Sequence, residues 1–364
     1  MWITMLLLLG CLSAFIVFRK NTIPVVDETD HRSRKLSVII PARNEQFNLP
    51  YLLDSLQSQT YQPFEIIVVD DFSTDRTREI AESYGVKVIS GKSLPQGWTG
   101  KSWAVWNGYL HAKGDAFAFL DADIRLAPQA LALLMKARER SKGVISVVPF
   151  HQTEKLYEKL ALVMNILGIF AFTSVFEKSN PQKGVYGSCI LALREDYEAI
   201  NGHESVKSEV LDDLLIGSKF MEAGIPVTNF IGYGLVSFRM YPTGIRSQIE
   251  GFSKGAILST GTLSLWTVVP IAIWTIGLLL TNAVWLFINT SWALPLMIGY
   301  LIYMLQLFYF AKHVGVFGIL IPVFHFVSSL FFLIVMGYSL YQVVVLGKVK
   351  WKGRYVKVRG RRGS

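Results

Sequence analysis

The chain of 364 residues contains little cysteine and little charge. Its two cysteines, Cys11 and Cys189, lie far apart, so they form neither a metal-ligand spacing nor a disulfide framework. Only 17% of the residues are charged and 51% are hydrophobic, which is more apolar than most soluble domains. The sequence therefore argues against a cysteine-based metal site and against a disulfide-stapled secreted protein, and the two thiols fit a reducing cytoplasmic setting.

Two common nucleotide-binding motifs are also missing. No Gly-x-Gly-x-x-Gly follows the first predicted strand, which argues against a dinucleotide-dependent oxidoreductase. The segment from Gly97 to Ser102 looks like a P-loop, yet Pro95 stands where the first glycine of that motif is required. Any nucleotide site in this chain must therefore be built differently.

Long apolar runs are concentrated at the N-terminus and after residue 260. We predict a membrane anchor at residues 1–20, a cytoplasmic domain at 33–255, a transmembrane region at 264–346 and a basic cytoplasmic tail at 347–364. The net charge is +9, and the basic residues cluster beside the apolar runs, so anionic lipid headgroups explain them better than nucleic acid does. The expected location is the cell membrane, with several spans.

The topology of the C-terminal spans stays open in the sequence. Residues 266–288 and 293–310 read as two spans, and residues 318–346 as a third that Pro322 and His325 interrupt. Three spans that start from a cytoplasmic domain end outside, whereas the basic tail predicts a cytoplasmic end. The third segment then contains a re-entrant piece or a hairpin, or the tail is an exception to the rule.

A further apolar segment occupies residues 160–176. A span there would place the motifs before and after it on opposite sides of the membrane, which would prevent them from forming one site. We therefore expect a helix in the membrane interface, with a buried helix of the soluble domain as the alternative.

From Leu36 onward, short apolar runs alternate with helical patterns. This alternation predicts an α/β domain with a mostly parallel sheet and helices on both faces. The predicted strands are 36–40, 65–70, 86–90, 116–120, 143–149 and 187–193, and the predicted helices are 49–56, 74–84, 102–113, 128–141 and 210–223.

Polar clusters close three of these strands, namely Pro41–Glu45, Val68–Asp75 and Asp121-Ala122-Asp123. The carboxyl ends of strands form the ligand crevice of an open α/β sheet, so we expect the three clusters to meet. Alternation along a strand puts Asp121 and Asp123 on one side, where they can hold a hard divalent cation together with substrate phosphates. Each cluster alone fits an ordinary strand-end turn, and it is the combination that indicates a nucleotide site.

The three clusters together resemble the family 2 glycosyltransferases, which have the GT-A nucleotide-sugar-binding fold. The resemblance covers roughly residues 35–255. Within that family the chain is similar to the membrane-bound diaponeurosporenoate glycosyltransferases of carotenoid pathways, and hopanoid and ceramide glucosyltransferase-like enzymes share several of the features. The supporting stretches are Gly100–Ser102, Ser237–Tyr241, Glu250–Lys254, His313–Gly315 and Trp351–Arg354.

The resemblance implies a role for each cluster. Asp121 and Asp123 would bind Mg²⁺ or Mn²⁺, and Asp213 would be the base that takes the acceptor proton. Asp212 stands where family members usually carry glutamate, which leaves open which of the two aspartates faces the acceptor; both could also merely complement a helix dipole. Arg239 would reach the diphosphate or anchor at the headgroups. The residues expected to contact the nucleotide sugar are Pro41, Ala42, Arg43, Glu45, Asp70, Asp71, Lys101, Asp121 and Arg239.

The implied activity is inverting transfer of a hexose, with glucose expected, from a UDP-sugar to an apolar lipid such as a carotenoid acid like diaponeurosporenoate. The alternatives are a hopanoid, ceramide-like or diacylglycerol acceptor, a processive polysaccharide synthase, or a sugar-nucleotide-binding protein without activity. Processive relatives carry Gln-x-x-Arg-Trp, whereas Gln248–Phe252 lacks that arginine and tryptophan. No nucleic-acid partner is expected, and protein partners stay open in the sequence.

Overall fold

A computed structural model of the chain describes residues 2–24, 34–63, 65–90, 93–209, 211–351 and 354–357. The described residues fall into two units. The α/β unit is drawn from Asn21–Phe150 and Pro181–Arg239, and the helical unit from Met1–Lys20, His151–Asn180 and Met240–Ser364. This division differs from the single domain predicted for residues 33–255, because residues 151–180 and 240–255 group with the helical unit.

The strands of the described residues, in chain order, are β1 (Leu36–Ala42), β2 (Glu65–Asp70), β3 (Lys87–Ser90), β4 (Ala116–Leu120), β5 (Ile124–Leu126), β6 (Val144–Val148), β7 (Phe150–His151), β8 (Cys189–Leu193), β9 (Val227–Ile231), β10 (Val236–Phe238), β11 (Lys348–Trp351) and β12 (Arg354–Lys357). The helices are α1 (Trp2–Val17), α2 (Leu49–Gln57), α3 (Thr77–Ser83), α4 (Gly100–Leu110), α5 (Ala130–Ser141), α6 (Leu156–Lys159), α7 (Leu162–Thr173), α8 (Arg194–Ala199), α9 (Asp212–Glu222), α10 (Ile245–Ser253), α11 (Leu265–Thr281), α12 (Ala293–Val314), α13 (Leu320–Val323) and α14 (His325–Leu340).

The α/β unit is built on a seven-stranded sheet in the order β3-β2-β1-β4-β8-β6-β9. The pairs β3-β2, β2-β1, β1-β4 and β6-β9 are parallel, which confirms the predicted mostly parallel sheet, whereas β8 runs antiparallel to both of its neighbours. The chain moves from β1 through β2 to β3 in one direction, and β4 lies on the other side of β1. The strand order therefore reverses between β1 and β4, the point at which such sheets bind ligands.

The sequence pattern explains why the central strands are continuous apolar runs. Val38, Ile39 and Ile40 of β1 are fully buried, and Phe117 of β4 is fully buried beside them. Strands covered on both faces lose the alternation of apolar and polar residues that marks a half-exposed strand. The core of this unit extends to α9, because Phe220 of that helix packs in one hydrophobic cluster with Ile39 and Phe117.

Among its described residues, the helical unit contains three helices that are long and apolar enough to cross a membrane, at Leu265–Leu286, Ala293–Val314 and His325–Val345. The N-terminal helix α1 has 16 residues and α7 has 12, so both are shorter than these three. Buried polar contacts hold the unit together, as Gln306 accepts from Trp274 Nε1 at 2.8 Å and donates to the carbonyl of Cys11 at 2.7 Å.

The segment predicted at residues 160–176 forms α7, and it packs within the helical unit. Phe170 of α7 lies 5.2 Å from the ring of Trp274 and 5.1 Å from that of Phe310. These contacts group α7 with the helical unit.

The third C-terminal segment is broken, as Pro322 indicated in the sequence. The short helix α13 ends at Val323, and α14 begins at His325 and continues as one π-helical turn to Val345. The predicted segment 318–346 is thus one short helix followed by one long helix.

Candidate active site

The site begins at the first turn of α4. Thr99 has an extended backbone and its hydroxyl accepts from the backbone N–H of Ser102, so the P-loop-like segment is a capped helix start. Lys101 in this turn places its Nζ 3.0 Å from Asp121 Oδ1 and 3.5 Å from Asp213 Oδ2. One ammonium group therefore joins an acid that follows β4 to an acid at the start of α9.

The charge of Lys101 is fixed by these acids. Burial by itself lowers the pKa of Lys101, but the carboxylates of Asp121, Asp213 and Asp212 outweigh it and hold the pKa well above its usual value. The side chain is therefore a permanent cation at neutral pH.

The two adjacent aspartates of α9 have different environments. Asp212 is 2% exposed and accepts a hydrogen bond from Ser102 Oγ at 2.8 Å. The Asp213 side chain is 26% exposed and, together with Lys101, lines a small recess that is described below. The geometry thus separates a carboxylate that anchors α9 to α4 from one that is accessible to a ligand.

Replacing Ser102 by alanine tests this anchor. The change leaves the buried Asp212 carboxylate without its hydroxyl donor, so we expect a loss of about 1.5–3 kcal/mol in the free energy of unfolding. Urea unfolding of the detergent-solubilised full chain measures the loss. The matched control is Ser218→Ala, because Ser218 is also buried but donates only to the Leu215 carbonyl of its own helix. Equal losses in the two variants would contradict the anchoring role.

The acids Asp121 and Asp123 directly follow β4, which has the predicted bounds, but they lie in a turn, so the alternation of a strand does not apply to them. Strand β4 ends at Leu120, and the turn leads into β5. Its backbone is fixed because the Asp121 N–H donates to the Ser188 carbonyl at 2.9 Å and the Arg239 N–H donates to the Asp123 carbonyl at 3.2 Å. The tight turn, rather than strand alternation, brings the two acids to the edge of the sheet.

Carboxylate oxygens of this kind suit Mg²⁺ or Mn²⁺. Within the described part of the chain, no three His, Cys, Asp or Glu side chains come together as a metal-binding group. Asp121 and Asp123 therefore fit a divalent cation only if a substrate supplies further oxygen ligands, as a diphosphate does.

The ends of β1 and β2 are tied to each other by polar contacts. Arg43 Nη1 donates to the Asp71 carbonyl at 2.7 Å and lies 3.9 Å from the Asp71 carboxylate. The buried Asp70 accepts from the Ser73 N–H at 3.1 Å, and Glu45 accepts from the Asn48 side chain at 2.9 Å. Several of the predicted donor-site residues thus shape the two loops.

A small recess lies where the strand order reverses. Among the predicted residues, it is lined by Pro41, Lys101, Asp121 and Asp213. The other predicted residues do not contribute to its lining, namely Ala42, Arg43, Glu45, Asp70, Asp71, Asp123, Asp212 and Arg239. Gly187 and His203 line it as well and were not among the predicted site residues. Burial lowers the pKa of His203 to about 4, so this imidazole is neutral at neutral pH.

Tyr186 is a further residue that the sequence did not single out. Burial, together with the charges of Asp123, Asp121 and Asp213, raises the pKa of its hydroxyl. The tyrosine therefore stays protonated at neutral pH, and its hydroxyl is available as a hydrogen-bond donor. A tyrosine before Gly187 carries no motif, so no sequence signal marked it.

The reversal of strand order and the acids gathered at that edge are typical of an α/β protein that binds its ligand at the carboxyl ends of its strands. Residues 37–200 match the model of glycosyl transferase family 2, and the chain belongs to that family. It is 31% identical over 363 residues to a 4,4'-diaponeurosporenoate glycosyltransferase of Staphylococcus haemolyticus (strain JCSC1435), and the alignment covers 96% of each chain. A 4,4'-diaponeurosporenoate glycosyltransferase of Staphylococcus aureus (strain USA300) is 31% identical over 335 residues, 89% of each chain.

A solved structure supports the fold. The mannosyltransferase PcManGT from Pyrobaculum calidifontis, in complex with GDP-Man and Mn²⁺, matches with a TM-score of 0.56 over 93% of this chain and 95% of that one. The sequence identity is 16%, so this likeness concerns the fold alone. The GT-A fold expected from the sequence is therefore confirmed.

Proposed function

We propose that this protein is a metal-dependent, inverting glycosyltransferase that moves glucose from UDP-glucose to an apolar carboxylic acid of the carotenoid type. The observation that carries the proposal is the position of Lys101, which lies within 3.5 Å of both Asp121 and Asp213. The acid that would face the donor and the acid that would face the acceptor thus meet at one cation. The acceptor class rests on the diaponeurosporenoate glycosyltransferases to which the chain is similar over nearly its whole length.

On the donor side, Asp121 and Asp123 would hold Mg²⁺ or Mn²⁺ together with the diphosphate. A bound divalent cation would stabilise the negative charge of the leaving nucleoside diphosphate. Lys101 adds a fixed positive charge to the same region, and Tyr186 adds a hydroxyl donor. PcManGT was solved with Mn²⁺ and a nucleotide sugar, which supports this assignment.

On the acceptor side, Asp213 would act as the general base. A carboxylic acid that arrives from an apolar phase is protonated, because a low dielectric raises its pKa. The Asp213 carboxylate would accept that proton, and the freed oxygen would form a bond to the anomeric carbon as the bond from that carbon to the diphosphate breaks. Attack from the side opposite the leaving group inverts the anomeric centre.

The helical unit would hold the protein in the membrane. Three helices have the length and apolar composition of membrane spans. Arg19 and Lys20, which directly follow the N-terminal apolar run, favour an orientation with the α/β unit in the cytoplasm, where nucleotide sugars are available.

The acceptor is tested by expressing the chain in a host that produces diaponeurosporenoate. We expect a new and more polar pigment that releases the carotenoid acid and glucose under mild alkali, because the product is an ester. An alkali-stable glycoside on a hopanoid, ceramide or diacylglycerol would instead identify one of the alternative acceptors. Unchanged pigments in cells whose membranes contain the protein would overturn the carotenoid assignment.

The metal is tested with Asp123→Asn. We expect the variant to need at least 10-fold more Mn²⁺ than the wild type for half-maximal UDP binding, since it loses one anionic oxygen ligand (an order-of-magnitude expectation). Titration calorimetry of the solubilised full chain measures this. The control is Asp115→Asn, which alters an acid at the opposite end of β4 that accepts from the Lys35 N–H. The same Mn²⁺ requirement in all three proteins would refute the assignment.

A further inference from the structure

Phe72 has a backbone conformation that its side chain disfavours. Its φ is +56°, in the left-handed region, where a residue with a bulky side chain is a rare outlier. The left-handed conformation costs an L-residue about 1–2 kcal/mol, and glycine adopts it without that steric penalty. Glycine would therefore be the expected residue after Asp71, and a phenylalanine there needs an explanation.

The surrounding contacts hold this conformation in place. The residue before Phe72 is fixed, because Arg43 donates to the Asp71 carbonyl at 2.7 Å and the Asp71 N–H donates to the Ala42 carbonyl at 2.8 Å. The residue after it is fixed too, because the Ser73 N–H donates to the Asp70 carboxylate and the Asn44 N–H donates to Ser73 Oγ at 2.9 Å. Strain that neighbours over-determine in this way is concentrated at functional sites.

The ring that this strain positions is not part of the core. Phe72 is 36% exposed, whereas Asp70 and Asp71 beside it are 7% and 8% exposed. Within the described residues, the Phe72 ring stacks on no other aromatic ring. About a third of the Phe72 side chain thus stays uncovered, and a ligand that stacks on the ring would bury this part and add to the contacts that offset the backbone cost.

The position of Phe72 in the sheet indicates which part of a nucleotide sugar its ring would contact. It follows β2, which neighbours β1 on the side away from β4, so it lies at the ligand-binding edge of the sheet. Asp121 and Lys101, which would meet the diphosphate, belong to the β4 side of the same edge. A nucleotide that lies across this edge with its diphosphate beside β4 extends its base toward β2.

We propose that Phe72 is the stacking platform for the nucleobase of the sugar-nucleotide donor. The inference rests on the proposed function and deepens it, because it assigns the base contact of the same donor site. Stacking uses the face of the base, so Phe72 contributes affinity for nucleotides in general and does not select uracil. Selection of the base would then depend on hydrogen bonds to its edge.

The test separates affinity from stability with Phe72→Gly. This variant relieves the left-handed strain and removes the ring, so we expect a higher melting temperature together with UDP binding in Mn²⁺ weakened by about 5- to 100-fold. Phe72→Trp keeps a stacking surface and should bind UDP within about threefold of the wild type. Titration calorimetry with UDP needs no transfer, so its outcome is independent of the acceptor and of the proposed activity.

The matched control is Lys142→Gly. Lys142 ends α5 with a φ of +53°, so glycine there should also raise the melting temperature, but UDP binding should not change. If Phe72→Gly binds UDP as tightly as the wild type does, the stacking role is wrong. If Phe72→Gly lowers the melting temperature instead, the ring is a structural element of the loop and the proposal fails as well.

Discussion

Asp213→Asn is expected to lower the rate of sugar transfer by about 10²–10⁴-fold, the usual contribution of a general base. The amide has nearly the same shape and can still accept from Lys101, but it cannot take a proton. UDP-glucose binding should therefore stay within about threefold of the wild type, because only the acceptor step loses a group (a rough limit). Rates with saturating donor, measured beside donor dissociation constants, separate the two effects.

The neighbouring acid provides the control for this prediction. Asp212 is 2% exposed and is bonded to Ser102, so Asp212→Asn should reduce stability more than it reduces the rate at a temperature where the variant is folded. A folded Asp213→Asn variant with normal turnover, beside an inactive Asp212→Asn, would reverse the assignment of the two acids.

Gly187→Ala is expected to reduce transfer by about 100-fold while leaving the protein folded. A Cβ at Gly187 would lie 1.9 Å from both Cγ and Oδ2 of Asp213 and 2.2 Å from Oδ1. These distances are shorter than non-bonded atoms can reach, so the Asp213 side chain must move. Because the clash involves the end of a side chain, Asp213 can rotate away without disturbing the backbone. A displacement of about 1 Å at a reacting group commonly costs on the order of 10² in rate.

The measurement compares steady-state transfer with the melting temperature of the same variant. Gly168→Ala is the control, because a Cβ there meets nothing within 4 Å and the residue lies inside α7. It should leave transfer unchanged and stabilise the helix by about 0.5–1 kcal/mol. Full activity in Gly187→Ala would show that the Asp213 carboxylate does not need the position seen here.

The sheet and its ligand edge were predictable because they depend on local patterns. The continuous apolar runs of β1, β2 and β4 each end in polar residues, and parallel strands bring those ends to one edge. Asp213 and Lys101 were predicted through resemblance to a family. The contact between Lys101 and Asp213 could not be predicted, because the two residues are 112 positions apart and meet only in the folded chain.

The features that were missed depend on tertiary contacts. Gly187 has no chemistry of its own, and its importance comes from how closely Asp213 approaches it. The turn position of Asp121 depends on where β8 stops pairing with β4, since Leu120 pairs with Cys189 and the strand then ends. The grouping of residues 151–180 with the helical unit likewise follows from packing that hydropathy does not encode.

The most direct test of the account supplies the purified full chain with labelled UDP-glucose, Mn²⁺ and a membrane lipid extract that contains carotenoid acids. The account predicts that label moves into an organic-soluble product, that a chelator abolishes this transfer, and that Asp213→Asn reduces it by about 10²-fold or more. If the donor is consumed and no label becomes soluble in the organic phase, the protein does not glycosylate an apolar acceptor and the central claim is contradicted.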